Sequence, residues 1–212
     1  MSRFLNASHC RNDTRSLKKF SLISLLCFIC GCSGNAALQR QQYDFGLPSS
    51  VSTTIPQTTA QVGLADIQVI PALDGNAMWY RLQYDNEQQL KAYAQARWSM
   101  PPAQLLTQRL KTRMLANGLQ LVSSGDSVGA KLILHIEVDE FSQVFTSTSA
   151  SHAQINLRAI VTKGKTVIAQ RGFVAHAPSR SADAVGGARA MQEATDLLIN
   201  EIQQWLTPLI VT

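Results

Sequence analysis

LILHIEVD (residues 132–139) and AQINLRAIV (residues 153–161) decide the fold. In the first, Leu132, Leu134, Ile136 and Val138 alternate with Ile133, His135, Glu137 and Asp139. In the second, Ala153, Ile155, Leu157, Ala159 and Val161 alternate with Gln154, Asn156 and Arg158. Alternation with a period of two marks a strand, because successive side chains point to opposite faces. Each stretch has one apolar face and one mostly polar face. Such strands belong to an antiparallel sheet covered on one side only.

Moving toward the C-terminus, Gly164 turns the chain and Val167–Ala175 returns as a further strand. A helix then runs from about Ser181 to Leu206, with Ala184, Ala188, Met191, Thr195, Leu198, Ile202 and Trp205 as its apolar stripe and Pro208 as its stop. Moving toward the N-terminus, Leu119–Val122 reads as a strand. A helix precedes it, entered through Ser99-Met-Pro-Pro, with Ser99 as cap and Asn117-Gly118 as stop. In that helix Leu106, Leu110 and Met114 face the core, while Arg109, Lys111 and Arg113 take the other faces. Met78, Tyr80, Leu82 and Tyr84 lie two apart and read as a strand; Gln89–Trp98 fits either a returning strand or a helix. Tyr43–Leu47 and Ile67–Val69 read as short strands, and residues 48–63, uncharged and rich in Ser, Thr, Gln and Pro, as a long polar loop. The fold class is α/β (α+β): a mainly antiparallel β-sheet with two main helices packed on one face.

The front of the chain is of another kind. Residues 1–31 hold Arg3, Arg11, Arg15, Lys18 and Lys19 against Asp13 alone. Taking these five bases and one acid from the chain's 19 and 14 leaves 14 and 13, so the leader carries +4 of the net +5 and the remainder is close to neutral. A nucleic-acid partner loses its support. After Lys19 comes the apolar stretch Phe20–Ile29, roughly 15 Å as helix and well short of a ~30 Å hydrocarbon core. A charged front, a short apolar centre and small residues after it make a secretory signal.

That signal ends in Ile29-Cys30-Gly31-Cys32, which resembles the bacterial lipobox. The resemblance implies cleavage before Cys32 and acylation of Cys32 as the new N-terminus. Residues 1–31 are then the lipoprotein signal peptide, 32–42 the lipidated Cys and a tether, and 43–212 a single periplasmic domain. Ser33, in place of an Asp, favours the periplasmic face of the outer membrane. All four cysteines lie within the first 32 residues, so the domain beyond the anchor has no disulfide, thiol nucleophile or cysteine metal site.

No catalytic, cofactor-binding or metal site is expected in that domain. His135, Glu137 and Asp139 share a strand face, but a solvated sheet face explains them more simply than a metal. His152 and His176 have no acid or nucleophile near them in sequence, and no Gly-x-Ser-x-Gly elbow is present. Gly186-Gly187 lacks the spacing and the Lys of a phosphate loop and reads as a close packing contact at a helix start. Trp79, Trp98 and Trp205 read as core or interface residues, and Arg97-Trp98 as a cation–π pair or a packed helix entrance.

The run from Tyr80-Arg81 through Leu90, Tyr93 and Arg97-Trp98 to Pro101-Pro102 and the leucine-rich helix after it is distinctive. It resembles the ABC-type transport auxiliary lipoproteins, the PqiC-like family. Tyr43–Pro48 is similar to the family's opening strand, Leu134–Phe141 to its central strand, and Arg171-Gly-Phe173 and Trp205-Leu206 to its end. The long uncharged stretch 48–63 departs from the pattern. The resemblance implies an outer-membrane lipoprotein beside an ABC transporter and a periplasmic MCE (mammalian cell entry) domain protein. Such systems move lipids or other hydrophobic molecules between the membranes.

Three functions follow. The first is a non-enzymatic subunit that docks the MCE assembly at the outer membrane, alone or as a homo-oligomer, through residues 48–63 and Phe141–Ser151. The second is a lipoprotein that helps assemble or plug an outer-membrane β-barrel. The third, ranked last, is a hydrolase assembled from dispersed Ser, His and Asp.

Overall fold

In chain order the strands are β1 (Gln41–Tyr43), β2 (Gln61–Leu64), β3 (Gln68–Val69), β4 (Ala77–Leu82), β5 (Glu87–Trp98), β6 (Gln120–Ser123), β7 (Ile133–Phe145), β8 (Ser151–Lys163) and β9 (Thr166–Pro178). The helices are α1 (Gln83–Asn86), α2 (Pro102–Ala116) and α3 (Ala184–Val211). This computed structural model describes residues 40–47, 61–123, 125 and 130–211.

β7 organises the sheet. Along one side it pairs antiparallel with β8 over its full length, from Ile133 opposite Thr162 to Phe145 opposite Ser151. Along the other side three short strands lie end to end, all parallel to it. Gly63 and Leu64 of β2 meet Ile133 and Leu134. Gln68 and Val69 of β3 meet Glu137 and Val138. Tyr80–Leu82 of β4 meet Gln143–Phe145. β5 returns antiparallel to β4 and holds β1 in parallel, β2 carries β6 in parallel, and β9 pairs with β8 as an edge. The sheet is thus antiparallel on its long strands and parallel where short strands dock on β7.

The two faces follow the alternation. Leu134, Ile136, Val138 and Phe141 of β7, Ala153–Val161 at every second position of β8, and Phe173, Ala175 and Ala177 of β9 are buried together. α3 covers them with Ala188, Met191, Thr195, Leu198 and Ile202, all buried. Burying each Leu or Ile of this set contributes ~1.5–3 kcal/mol before entropy is subtracted. α2 packs beside α3, presenting Leu105, Leu106, Leu110 and Met114. Its stop is a Schellman motif: Gly118 takes φ +84°, its N–H donates to Leu115 O at 3.0 Å, and the Leu119 N–H donates to Met114 O at 2.9 Å.

Of the two readings open for Gln89–Trp98 the structure takes the strand, because pairing with β1 and β4 overrides the helix propensity of its Ala and Gln. Several other expectations from the sequence are corrected. Residues 61–63 of the supposed polar loop belong to β2, with Val62 fully buried; residues 48–60 lie outside the described residues. The opening strand is Gln41–Tyr43, upstream of the predicted Tyr43–Leu47. Tyr84 lies in α1, so the alternation begun at Met78 ends at Leu82. Ser99 does not cap α2, whose N-cap is Pro101; the Ser99 N–H instead donates to Tyr43 O at 2.8 Å and ties β1 to the end of β5. Pro208 does not end α3, which runs on to Val211 with Leu209 and Ile210 packed on the core. That packing offsets the backbone bond that a Pro cannot make.

Candidate functional site

Cys32, the predicted lipidation site, lies outside the described residues. So do residues 48–60 of the first predicted contact segment. In the second, Phe141–Ser151, the first five residues are the buried end of β7, with Ser142 and Gln143 wholly enclosed. What remains exposed is the turn Thr146–Ala150, where Ser147 Oγ accepts the N–H groups of Ser149 and Ala150 at 3.2 and 3.1 Å. Strand β7 continues past the point where its alternation stops reading cleanly, since a bulge between Val138 and Glu140 resets its faces.

The same bulge separates the His135, Glu137, Asp139 triplet. His135 Nε2 contacts Thr162 Oγ1 at 3.2 Å, Glu137 pairs with Arg158 at 3.3 Å, and Asp139 is exposed at the bulge. Among the described residues no group of three His, Cys, Asp or Glu side chains stands close enough to hold a metal ion.

Gly186-Gly187 opens α3 as a close contact. The Asp183 carboxylate accepts the Gly186 N–H at 2.8 Å and the Ser181 hydroxyl at 2.7 Å. These bonds hold its carboxyl below the usual range, the Gly186 N–H first and Ser181 next. Beneath Gly187 lies a buried polar chain. The Tyr93 hydroxyl donates to Gln143 Oε1 at 2.9 Å, and Gln143 Nε2 donates to Ser151 Oγ at 2.8 Å. Burial, and then the neighbouring Tyr80, push the Tyr93 phenol well above its ordinary value, so it stays a neutral donor.

Trp98 is the centre of an aromatic cluster, edge-on to Phe45 at 6.0 Å and to Phe141 at 5.6 Å. Trp205 stands edge-on to Phe173 at 5.6 Å. These are packing roles. The guanidinium that takes up a cation–π position is Arg171, 5.0 Å over the Phe173 ring.

Two arrangements were not read from the sequence. Arg109, placed off the core stripe of its helix, is only 6 % exposed and bridges the two helices. It grips Asp196 with Nε to Oδ1 at 2.8 Å and Nη2 to Oδ2 at 2.7 Å. His152 and His176 come together on the face away from the helices, ring centroids 5.2 Å apart at 63°. Burial, then the neighbouring His176, push the His152 imidazole below its ordinary value. The Gly164 turn alone would set His176 opposite Ala153, on the other face; the bulge at Ile168 brings it onto the face of His152.

Two cavities matter for hydrophobic cargo. Between the end of β1 and α2 lies an open hollow of about 350 Å³, with Phe45, Leu47, Met100 and Leu105 as apolar walls and Asp44 and Arg109 at its polar side. Between the helices and the sheet the void is about 10 Å³, lined by Ile136, Leu157 and Leu198 among others. That is no more than one water molecule needs, so this packed interior holds no acyl-chain groove. Among the described residues, no helix is long and apolar enough to cross a membrane.

Solved structures share the architecture. A protein from Xanthomonas campestris, of the family model DUF330, superposes with a TM-score of 0.61 at 22% identity, over 73% of this chain and 88% of that one. A second, of an uncharacterized protein, gives a TM-score of 0.59 at 15% identity, over 72% of this chain and 95% of that one. Identities this low carry the fold and nothing more. None of the curated proteins matches the chain. The model of the ABC-type transport auxiliary lipoprotein component family matches residues 43–203, from the last residue of β1 into the final third of α3. With β2 to β9, α2 and most of α3 inside that match, the chain belongs to the family of ABC-type transport auxiliary lipoprotein components.

Proposed function

We propose that the chain is a lipoprotein anchored through Cys32 at the periplasmic face of the outer membrane. There it acts as a non-catalytic subunit that docks the MCE protein of an ABC-type lipid transport system. The observation that carries this reading is the family match over residues 43–203. The lipobox at Ile29–Cys32 and Ser33 support the anchor and its membrane. The packed interior, with a void of about 10 Å³ between helices and sheet, supports a docking body, and a hydrophobic group carried by the domain would sit in the open hollow of about 350 Å³ between β1 and α2. Because β1 begins at Gln41, the tether is residues 33–40 and spans at most ~29 Å when extended, so docking would occur close to the membrane.

The alternative is a helper of an outer-membrane β-barrel, which would share the same anchor and fold. Deleting the gene tests the transport reading. Transport predicts a leaky or lipid-imbalanced envelope with barrel proteins at normal abundance. Loss of one barrel protein with lipid balance intact would favour the alternative.

A further inference from the structure

From Phe141 to Ala182 the chain contains no Asp or Glu, but it holds Arg158, Lys163, Lys165, Arg171 and Arg180. This stretch is the end of β7, the β8–β9 hairpin and the approach to α3. Three of the five cations are engaged. Arg158 pairs with Glu137, Arg180 with Glu193, and Arg171 lies over Phe173. Lys163 and Lys165 have no carboxylate within ion-pair distance among the described residues. They flank Gly164 at the hairpin tip, where Lys163 pairs with Thr166 across a two-residue turn and Gly164 takes φ +61°.

The residues just past the turn are apolar and exposed on both faces. Val161 pairs with Ala169 but Thr162 pairs with Val167, so Ile168 is the extra residue of a bulge. Val167 is 57% exposed and Ile168 42%. The tip is therefore a two-strand projection with two ammonium groups free of carboxylates beside two bare β-branched side chains. A second strand docking along β9 would meet the bulge, the mid-strand Arg171-Gly172 and the terminal Pro178, all features that protect an edge.

We infer that the tip of the β8–β9 hairpin is a second membrane contact, in which Lys163 and Lys165 meet the phosphates of anionic phospholipids while Val167 and Ile168 enter the interface. The inference rests on the anchoring proposed above only for bringing the bilayer within reach. Two lysines near an anionic surface contribute about 1 kcal/mol each. That is too little to hold a free protein, but it suffices to orient a tethered one, since tethering raises the local concentration of lipid. Contact at the tip would fix which face of the domain looks away from the membrane.

The test uses the full chain purified from membranes, with Thr166→Cys carrying an environment-sensitive fluorophore. The sequence has no cysteine after position 32, and the parent chain labelled in parallel sets the background. Vesicles of phosphatidylcholine are compared with vesicles containing a quarter phosphatidylglycerol. The contact predicts a blue shift and quenching by brominated acyl chains in the anionic vesicles, reversed by high salt. K163Q/K165Q should weaken tip partitioning roughly thirtyfold while vesicle flotation through the anchor is unchanged. Emission alike in both vesicles, or unaltered by K163Q/K165Q, overturns the contact, as does shielding that appears only with a co-purifying acidic protein. Flotation is read separately from emission, so failure of the anchor is distinguished from failure of the tip.

Discussion

Gly187 stands directly on Gln143: a β-carbon at position 187 would lie 1.9 Å from Gln143 Oε1. Gln143 cannot easily turn away, because it is 1% exposed and bonded to both Tyr93 and Ser151. Gly→Ala in a helix is ordinarily worth up to ~1 kcal/mol in favour of folding. Here the sign reverses, and Gly187→Ala should cost about 2 kcal/mol, as overpacking does. In a double-mutant cycle with Gln143→Ala the two losses should fall short of additive by about 1 kcal/mol, read by chemical denaturation. Gly186→Ala is the sterner case, since its β-carbon would meet the Ser181 carbonyl oxygen at 2.1 Å.

The Arg109–Asp196 fork joins α2 to α3, and its arginine is buried. Removing one partner strands the other charge, so Asp196→Ala should lose about 3 kcal/mol. Replacing both, as Arg109→Met with Asp196→Leu, should lose markedly less. Equal losses for the single and double variants would show that packing volume, and not the stranded charge, sets the cost.

His152 gives a pH signature. Its folded-state value lies below the ordinary 6.5, so the unfolded chain binds the proton more readily. Stability therefore falls as pH drops through 6.5 toward the lowered folded value and is flat above it. His152→Gln should flatten that part of the stability–pH curve. The effect is modest, because the group is partly solvated. A curve with the same slope in the variant would place the titrating group elsewhere.

Cys32→Ala should abolish acylation and release the chain from the outer-membrane fraction in sucrose-gradient fractionation. The far-ultraviolet spectrum of the domain should not change, because position 32 precedes the first strand at Gln41. Retention of the variant with outer-membrane markers would contradict the lipid anchor.

The long antiparallel strands were legible because each has one buried face, which makes Leu134, Ile136 and Val138 stand out from His135 and Glu137. The Schellman stop at Asn117-Gly118 was legible because only Gly enters that backbone region without strain. The parallel pairings were not. β3 has two residues and β2 four, too short to show a period, and their partners lie some seventy residues away in β7. Arg109 misled because a buried, paired arginine and a solvated one look alike in sequence; its partner Asp196 lies on the other helix. The bulges at Asp139 and Ile168 shift a register by one residue without any Gly or Pro to announce them. The Arg97-Trp98 and Pro101-Pro102 group, which carried the family resemblance, proves to be where strand β5, the aromatic cluster and the start of α2 meet.

Affinity capture of the tagged full chain from crosslinked, detergent-solubilised envelopes, read by mass spectrometry, tests the central claim most directly. The account predicts an MCE-domain protein together with subunits of its ABC transporter. Recovery of an outer-membrane barrel protein in their place, or of no partner at all, would contradict it.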